Sequence, residues 1–334
     1  MALGLTGASG FIGLNVVEQA LADGQTVVTF DLQPLPAAAC AVFAALPGRL
    51  IECTGDITRA ADRRRFLTQT PLTALVQAAA ITPDAAREAR TPGDIIAVNA
   101  AAALDCIADA VALNIDRIVA VSSVSAYGTV PGDLTLIDED TPLRPFNLYG
   151  LSKLTLEQGL ARLHSLNPFG LTIARLGPQY GRWEWRSGKR DALSALLQCL
   201  SAAMTSREAV MPRDVEIDWL YAADAARGLL RLATDRPDQP RVCNIASGTR
   251  FSLTHWCQRL AEDFPDFRWR FSDAGDSTIA VNPGFTRAPQ AISRMAALGW
   301  KPAFDAAAGY ADYRAFIVSH PDFAPDRQAP AAAA

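Results

Sequence analysis

The run Leu5-Thr6-Gly7-Ala8-Ser9-Gly10-Phe11-Ile12-Gly13 decides how the rest of the chain reads. A short apolar segment, Ala2 to Thr6, leads into it, and a helical pattern from Phe11 to Ala22 leads out. Glycines spaced G-x-x-G-x-x-G between a strand and a helix permit unusual dihedrals and close approach of the backbone to a phosphate. The helix N-terminus beyond them adds oriented N–H groups and partial positive charge. Gly7, Ser9, Gly10, Phe11, Ile12 and Gly13 are therefore candidate contacts for a dinucleotide pyrophosphate, although a tight strand-to-helix turn alone asks for the same glycines.

Working outward, Gln25 to Phe30 is a second apolar, β-branched run, and it ends at Asp31. A carboxylate there can accept hydrogen bonds from both ribose hydroxyls and repels a 2′-phosphate, so the expected cofactor is NAD rather than NADP. Asp56 and Ile57 follow the run Leu50 to Cys53 and are candidates for the adenine amino group and ring face, with a helix cap as the plainer role of Asp56. Ala78, just past the run Ala74 to Gln77, joins the candidate cofactor set. Ile118 to Ser122 and Leu171 to Ala174 are further strand patterns, and helical stretches such as Asp94 to Leu113 and Tyr149 to His164 separate most of the strands. Alternating buried strands and helices imply an α/β fold with a doubly wound parallel sheet.

The pattern changes after Arg175, where later elements are shorter and separated by Pro and Gly. The expected organisation is a cofactor domain over 1–175, a smaller substrate lobe over 176–330 interleaved with it, and a frayed tail at 331–334. The segment Gly177 to Arg190, rich in Gly, Trp and charge, is a candidate lid.

A chain of 334 residues, 50% hydrophobic and 20% charged, can bury a large core. Its 31 Lys and Arg against 35 Asp and Glu give a formal charge of −4, which offers a phosphodiester backbone nothing to hold. The six cysteines are dispersed without a Cys-x-x-Cys pair, so reduced, packing cysteines and no metal site are expected. No uninterrupted apolar run reaches the roughly 18 residues of a membrane span, and a soluble cytoplasmic protein with a small-molecule substrate is the expectation.

Tyr149 and Lys153 stand four residues apart, so on a helix they share one face. A free phenol titrates near pH ~10, and a nearby ammonium, a positive nicotinamide ring and a helix start all favour its ionised form. Tyr149 is thus a candidate base toward an alcohol, and in reverse a proton donor to a carbonyl. Ser123 closes the apolar strand at its carboxyl end, where open α/β sheets place their ligands, and can hydrogen-bond the reacting oxygen. Each signal alone has a bland reading, a surface helix or a turn hydroxyl; their order along one sheet makes the case.

With these motifs in place the chain resembles the extended short-chain dehydrogenase/reductase family, also called the NAD-dependent epimerase/dehydratase family. Gly7 to Gly13 matches its phosphate loop, and Ser122-Ser123, Tyr127-Gly128 and Tyr149 through Lys153 match its catalytic motifs. The similarity continues through Arg175 to Gly181, Asp218 to Asp224 and Leu298 to Pro302. The resemblance implies a Rossmann domain with a substrate lobe, NAD as cofactor, Ser123 and Tyr149 on the reacting oxygen, and Lys153 on the nicotinamide ribose. It also implies a homodimer formed through the helices near Asp94 to Leu113 and Tyr149 to His164, and matches Asn99 to a family asparagine near the cofactor, or equally to one that satisfies local backbone.

Departures from the family bear on the reaction. Dehydratases of this kind carry an Asp-Glu pair where this chain has Val124 and Ser125, so sugar dehydration is not expected. The positions that clamp the diphosphate in UDP-galactose 4-epimerase and its relatives fall at Pro178, Ile217 and near Ser272 or Asp273, none of them basic; Arg182, Arg186, Lys189, Arg190 and Arg213 are the cations left to replace them. Gly181-Arg182-Trp183-Glu184-Trp185-Arg186 reads as a substrate wall or as packing between lobes. Ser125, Arg182 and Trp183 are the candidate substrate contacts. The leading expectation is an NAD-dependent oxidoreductase that interconverts a hydroxyl and a carbonyl on a small sugar-like or polyol-like substrate. An epimerase that keeps NAD tightly bound and passes through a transient ketone is the alternative, and an idle NAD-binding regulator is the third.

Overall fold

The structure, a computed structural model, describes residues 1–185, 191, 193–281 and 288–324. The predicted strands form in sequence as β1 (Ala2–Thr6), β2 (Thr26–Asp31), β3 (Arg49–Thr54), β4 (Ala74–Gln77), β5 (Arg117–Ser123) and β6 (Gly170–Leu176). A seventh strand, Arg241–Ile245, joins them in one parallel sheet in the order Arg241–Ile245, β6, β5, β4, β1, β2, β3. The order reverses between β4 and β1, and the register pairs Leu3 with Val27 on one side and with Ala74 on the other. Leu3, Leu5, Val27, Val28, Leu75 and Val76 are fully buried, because helices cover both faces of the sheet. This is the Rossmann-type architecture that the alternating pattern implied.

The last strand lies beyond residue 175, and the helix Ala222–Ala233, also beyond it, packs against α1 (Phe11–Ala22). The Rossmann layer therefore draws on both halves of the sequence, and the sequence boundary at 175 does not separate two packed units. What lies outside the sheet is built from two-stranded pairs: Gln179–Tyr180 with Leu220–Tyr221, Glu216–Ile217 with Phe251–Ser252, and Ala209–Met211 with Trp269–Phe271. The helices Ala195–Met204, Leu253–Asp263 and Ala306–Ser319 complete that lobe. The expected tail at 331–334 lies outside the described residues.

The predicted helix over Asp94 to Leu113 runs from Pro92 to Ala112 and is not regular. Between Pro92–Ile96 and Ala103–Ala112 the residues Ala97–Ala102 take a π-helical turn. By length and composition alone the helix Pro92–Ala112 could cross a membrane, although Asp94, Asp105 and Asp109 interrupt its apolar run. In the fold it packs against the sheet and the helix Leu148–Leu166, and its Asp109 and Asp105 pair with the buried Arg63 at 2.7 and 3.5 Å. All six cysteines are free thiols, five of them buried.

Gly13 shows how tightly β1 and α1 are joined. A Cβ at Gly13 would overlap the Gly7 carbonyl oxygen and lie 2.7 Å from the Ala8 Cα, all of it backbone that cannot move aside. We expect Gly13→Ala to destabilise the fold by about 1–3 kcal/mol in urea unfolding. Gly93, in a helix with open space around its Cα, should instead gain about 0.5–1 kcal/mol as Gly93→Ala. Equal effects of the two substitutions would refute the packing argument.

Candidate active site

The carboxyl ends of the strands open into a cleft of about 460 Å³ that runs from Asp31, Asp56 and Ile57 past the glycine loop to Ser123, Tyr149, Lys153, Gly177 and Gln179. It straddles the β4–β1 reversal, where this class of sheet binds its ligands.

The glycine loop forms one wall. Gly7 has φ +71°, a conformation that favours glycine. Its amide donates to the Phe30 carbonyl at 2.8 Å, and the Thr6 hydroxyl accepts the amides of Ala78 and Ala79, each at 3.0 Å, which ties the ends of β1, β2 and β4 together. Gly7, Gly10, Phe11, Ile12, Gly13 and Ala78 line the cleft. Asp31 accepts the Ser9 amide at 3.0 Å on one oxygen and the Gln33 amide at 3.3 Å on the other, so its carboxylate is held at the cleft edge. Ser9 itself is buried beneath the loop. Asp56 lines the cleft while accepting the amide and hydroxyl of Thr58 at 2.9 and 2.7 Å.

Asn99 does not line the cleft. It is fully buried in the π-turn, where its side chain accepts from the Ile81 amide at 2.7 Å and donates to the Ile81 carbonyl at 2.9 Å and to the Ser152 hydroxyl at 3.1 Å. Its side chain therefore satisfies local backbone: it anchors the loop after β4, whose residues Ala78 to Thr82 do form cleft wall.

At the other end, Tyr149 occupies the first turn of the helix Leu148–Leu166, which Asn147 caps by accepting the Gly150 amide at 2.8 Å. Glu88 accepts the Tyr149 amide at 3.2 Å. One turn on, the Lys153 Nζ lies 5.8 Å from the centre of the Tyr149 ring and donates to the Val121 carbonyl at 2.9 Å. Burial pushes the Lys153 ammonium down to about pH 8, against the opposing pull of Glu157. Ser123 ends β5 in extended conformation, and its hydroxyl accepts the Ser125 amide at 3.1 Å. Ser125 is buried behind it and does not line the cleft.

Behind this end lies a buried polar network that the sequence reading missed. Arg175 donates to both oxygens of Glu157 at 3.1 and 2.7 Å, to the Tyr127 hydroxyl at 3.1 Å and to the Glu139 carbonyl at 3.0 Å. The Ser122 hydroxyl donates to Glu157 and the Tyr127 hydroxyl to Asn244 at 2.7 Å. Burial alone would lower the affinity of Arg175 for its proton, but the Glu157 carboxylate outweighs it and raises it. The available signal was Glu157 itself, a carboxylate one turn beyond Lys153 on the same helix face as Leu156 and Leu160.

Of the two readings of the Arg182-Trp183 stretch, these side chains take the packing one. Trp183 is completely buried, its indole N–H donating to Glu18 at 2.7 Å and its ring packed on Phe316 and Phe323. Arg182 holds Asp312 through two 2.6 Å bonds and Glu18 through one of 3.2 Å. Both residues join α1 to the helix Ala306–Ser319, away from the cleft; large aromatic area and bidentate carboxylate partners drew them into packing between lobes. Arg186, Lys189 and Arg190, and with them most of the charge of the candidate lid, lie outside the described residues; Arg213 is exposed and does not line the cleft. The positions of the family's diphosphate clamp are apolar or turned elsewhere. Pro178 uses its carbonyl to accept the Leu220 amide at 2.8 Å, Ile217 is buried, and Asp273 is exposed.

The model of the NAD dependent epimerase/dehydratase family matches residues 4–246. The chain belongs to this family. No curated protein sequence matches it significantly. Among solved structures it is similar to the UDP-glucose 4-epimerase of Thermotoga maritima with UDP-glucose (TM-score 0.80, 18% identity, 96% of this chain and 99% of that one). It is also similar to the UDP-glucose 4-epimerase of Bifidobacterium longum with NAD+ and UDP (0.78, 18%, 96% and 99%). A third likeness is to MoeE5 in complex with UDP-glucose and NAD (0.76, 21%, 96% and 99%). At these identities the likeness is one of fold. For this member of an NAD-dependent family, the glycine loop that lines the cleft and the Asp31 carboxylate held at its edge fit the dinucleotide.

Lys153 gives the site a measurable pH signature. In the cofactor-free protein it keeps its proton only up to about pH 8, whereas an unfolded chain keeps it to about 10.4. Between those values the unfolded state binds the extra proton, so stability rises with pH across that window and the burial penalty is felt in full below it. Compared with Lys153→Met, the wild-type chain should gain on the order of 3 kcal/mol between pH 7 and 10.5 in urea unfolding. A pH-independent difference would mean that Lys153 titrates as an ordinary lysine.

Proposed function

We propose that this protein is an NAD-dependent oxidoreductase that interconverts a hydroxyl and a carbonyl on a small sugar-like or polyol-like substrate. The observation that carries the reading is that Ser123, Tyr149 and Lys153 line the same cleft as the glycine loop. When bound, NAD supplies the acceptor and donor of hydride. The chain's own residues handle the substrate oxygen and its proton. The Ser123 hydroxyl is available to orient that oxygen, and the Tyr149 phenol takes the alcohol proton in oxidation and returns it in reduction. The Lys153 ammonium and the positive end of the helix Leu148–Leu166 favour the phenolate that this role requires. Lys153 is held in that position by the Val121 carbonyl. Val124 and Ser125 supply neither of the carboxyl groups that expulsion of hydroxide needs, which argues against dehydration.

A second reading, an epimerase acting through a transient ketone, is favoured by the fold shared with the UDP-glucose 4-epimerases. It requires the substrate to present both faces of one carbon before release. The non-basic Pro178, Ile217 and Asp273 argue against a nucleotide diphosphate as its handle.

Tyr149→Phe should lower turnover at least about a hundredfold while NADH affinity changes less than threefold; retained turnover would remove Tyr149 from its role. In the same preparations, nicotinamide released on denaturation separates the two readings. Near-stoichiometric NAD in the purified protein supports the epimerase, and empty protein that binds NADH reversibly supports the dehydrogenase.

A further inference from the structure

We propose that Arg87 binds a substrate carboxylate, so that the compound handled at this site is a small hydroxy acid or sugar acid, with Asp191 holding the guanidinium until the acid arrives. The proposal rests on the oxidoreductase reading above and names its substrate class.

Among the described residues lining the cleft only two are cationic, Arg87 and Lys153. Lys153 is 1% exposed and committed to the Val121 carbonyl. Arg87 is the cation open to a ligand. Its place in the fold puts it at the reacting end. It sits in the short helix Ala85–Arg90 after β4, which Asp84 caps by accepting the Arg87 amide at 2.7 Å. Its neighbour Glu88 touches the backbone of Tyr149. The acidic lining residues, Asp31 and Asp56, stand at the ends of β2 and β3 on the other arm of the cleft.

The pairing of Arg87 has the form of a placeholder. Its Nη1 alone reaches Asp191, at 3.3 and 3.5 Å from the two oxygens, and its Nη2 and Nε have no hydrogen-bond partner among the described residues. A well-formed guanidinium–carboxylate pair uses two nitrogens at about 2.7–2.9 Å. Arg182 and Asp312 make such a pair in this same molecule. Asp191 comes from the substrate-lobe part of the chain and, among the described residues, is further attached by its amide to the Thr82 carbonyl at 3.4 Å. A ligand carboxylate that engages two nitrogens of Arg87 at shorter distance displaces it. Among the described residues one exchangeable cation matches one carboxylate, whereas Pro178, Ile217 and Asp273 carry no positive charge.

The test is calorimetric titration of the NADH-loaded protein with glycerate, xylonate, gluconate and glucuronate, each compared with its neutral counterpart glycerol, xylitol, sorbitol or glucose. At least one acid should bind about tenfold or more tightly than its counterpart. Arg87→Gln should weaken that acid by about ten- to a hundredfold, as loss of charge-assisted bonds implies, and leave the neutral compound unchanged. Asp191→Asn should strengthen it severalfold. If Arg87 and Asp191 merely clasp two segments, both substitutions shift acids and neutrals in one direction, which overturns the proposal. So does equal binding of acids and neutrals, or no acid binding at all. Turnover with NAD is scored separately. Tyr149-dependent oxidation of neutral polyols alone keeps the oxidoreductase and removes the carboxylate site; Arg87-dependent acid binding without turnover of any compound does the reverse.

Discussion

A buried ion pair, Glu157 with Arg175, holds the reacting edge of the sheet together. Taking both charges out of water is expensive, and the cost is offset only because nearly every donor and acceptor of the pair is used. The pair thereby ties the Tyr149 helix to β6, draws in Ser122 from β5, and through Tyr127 and Asn244 reaches the strand Arg241–Ile245. Removing one partner would leave a bare charge in the core, a loss of about 3–5 kcal/mol in comparable cases. The same carboxylate faces Lys153 one turn away and opposes the proton loss that burial favours. The protonation of the site and the cohesion of the sheet thus share one group.

The cleft has unlike ends. One arm presents the carboxylates of Asp31 and Asp56 and the apolar Ile57, while the arm at Tyr149 presents hydroxyls, an amide at Gln179 and the guanidinium of Arg87. A ligand pair that fills it is neutral or hydrogen-bonding where it meets the acids and electron-rich where it meets the arginine. The fold is shared with enzymes whose structures hold UDP-sugars, and a shared fold leaves the chemistry to the side chains of the site.

Much of this was legible in the sequence, for a specific reason. The glycine loop, Asp31, Ser123, Tyr149 and Lys153 belong to local patterns in which spacing along the chain fixes spacing in space, so their convergence followed once strands and helices alternated. The alternation also gave six of the seven sheet strands. The seventh, Arg241–Ile245, was missed because it lies among the shorter elements after residue 175 and returns to a sheet that seemed complete. Arg182 and Trp183 were ambiguous because composition does not say which way a side chain faces; only Glu18 and Asp312, far off in sequence, decide that. Arg87 with Asp191 and Glu157 with Arg175 were silent for the same reason, as each is a partnership between segments that only the folded chain brings together.

The π-helical turn at Ala97–Ala102 carries a consequence for how the chain tolerates change. A wider turn shifts the angular phase of everything that follows it. Within the turn the helix aims Asn99 at Ile81 and so shapes the cleft loop; beyond it, the same helix aims Asp105 and Asp109 at Arg63. A uniform α-helix of this length would satisfy one of these alignments and rotate the other out of reach. Loss of a single residue here would therefore be felt at both places at once, and the irregular turn works as a gear that keeps two halves of one rod in different settings.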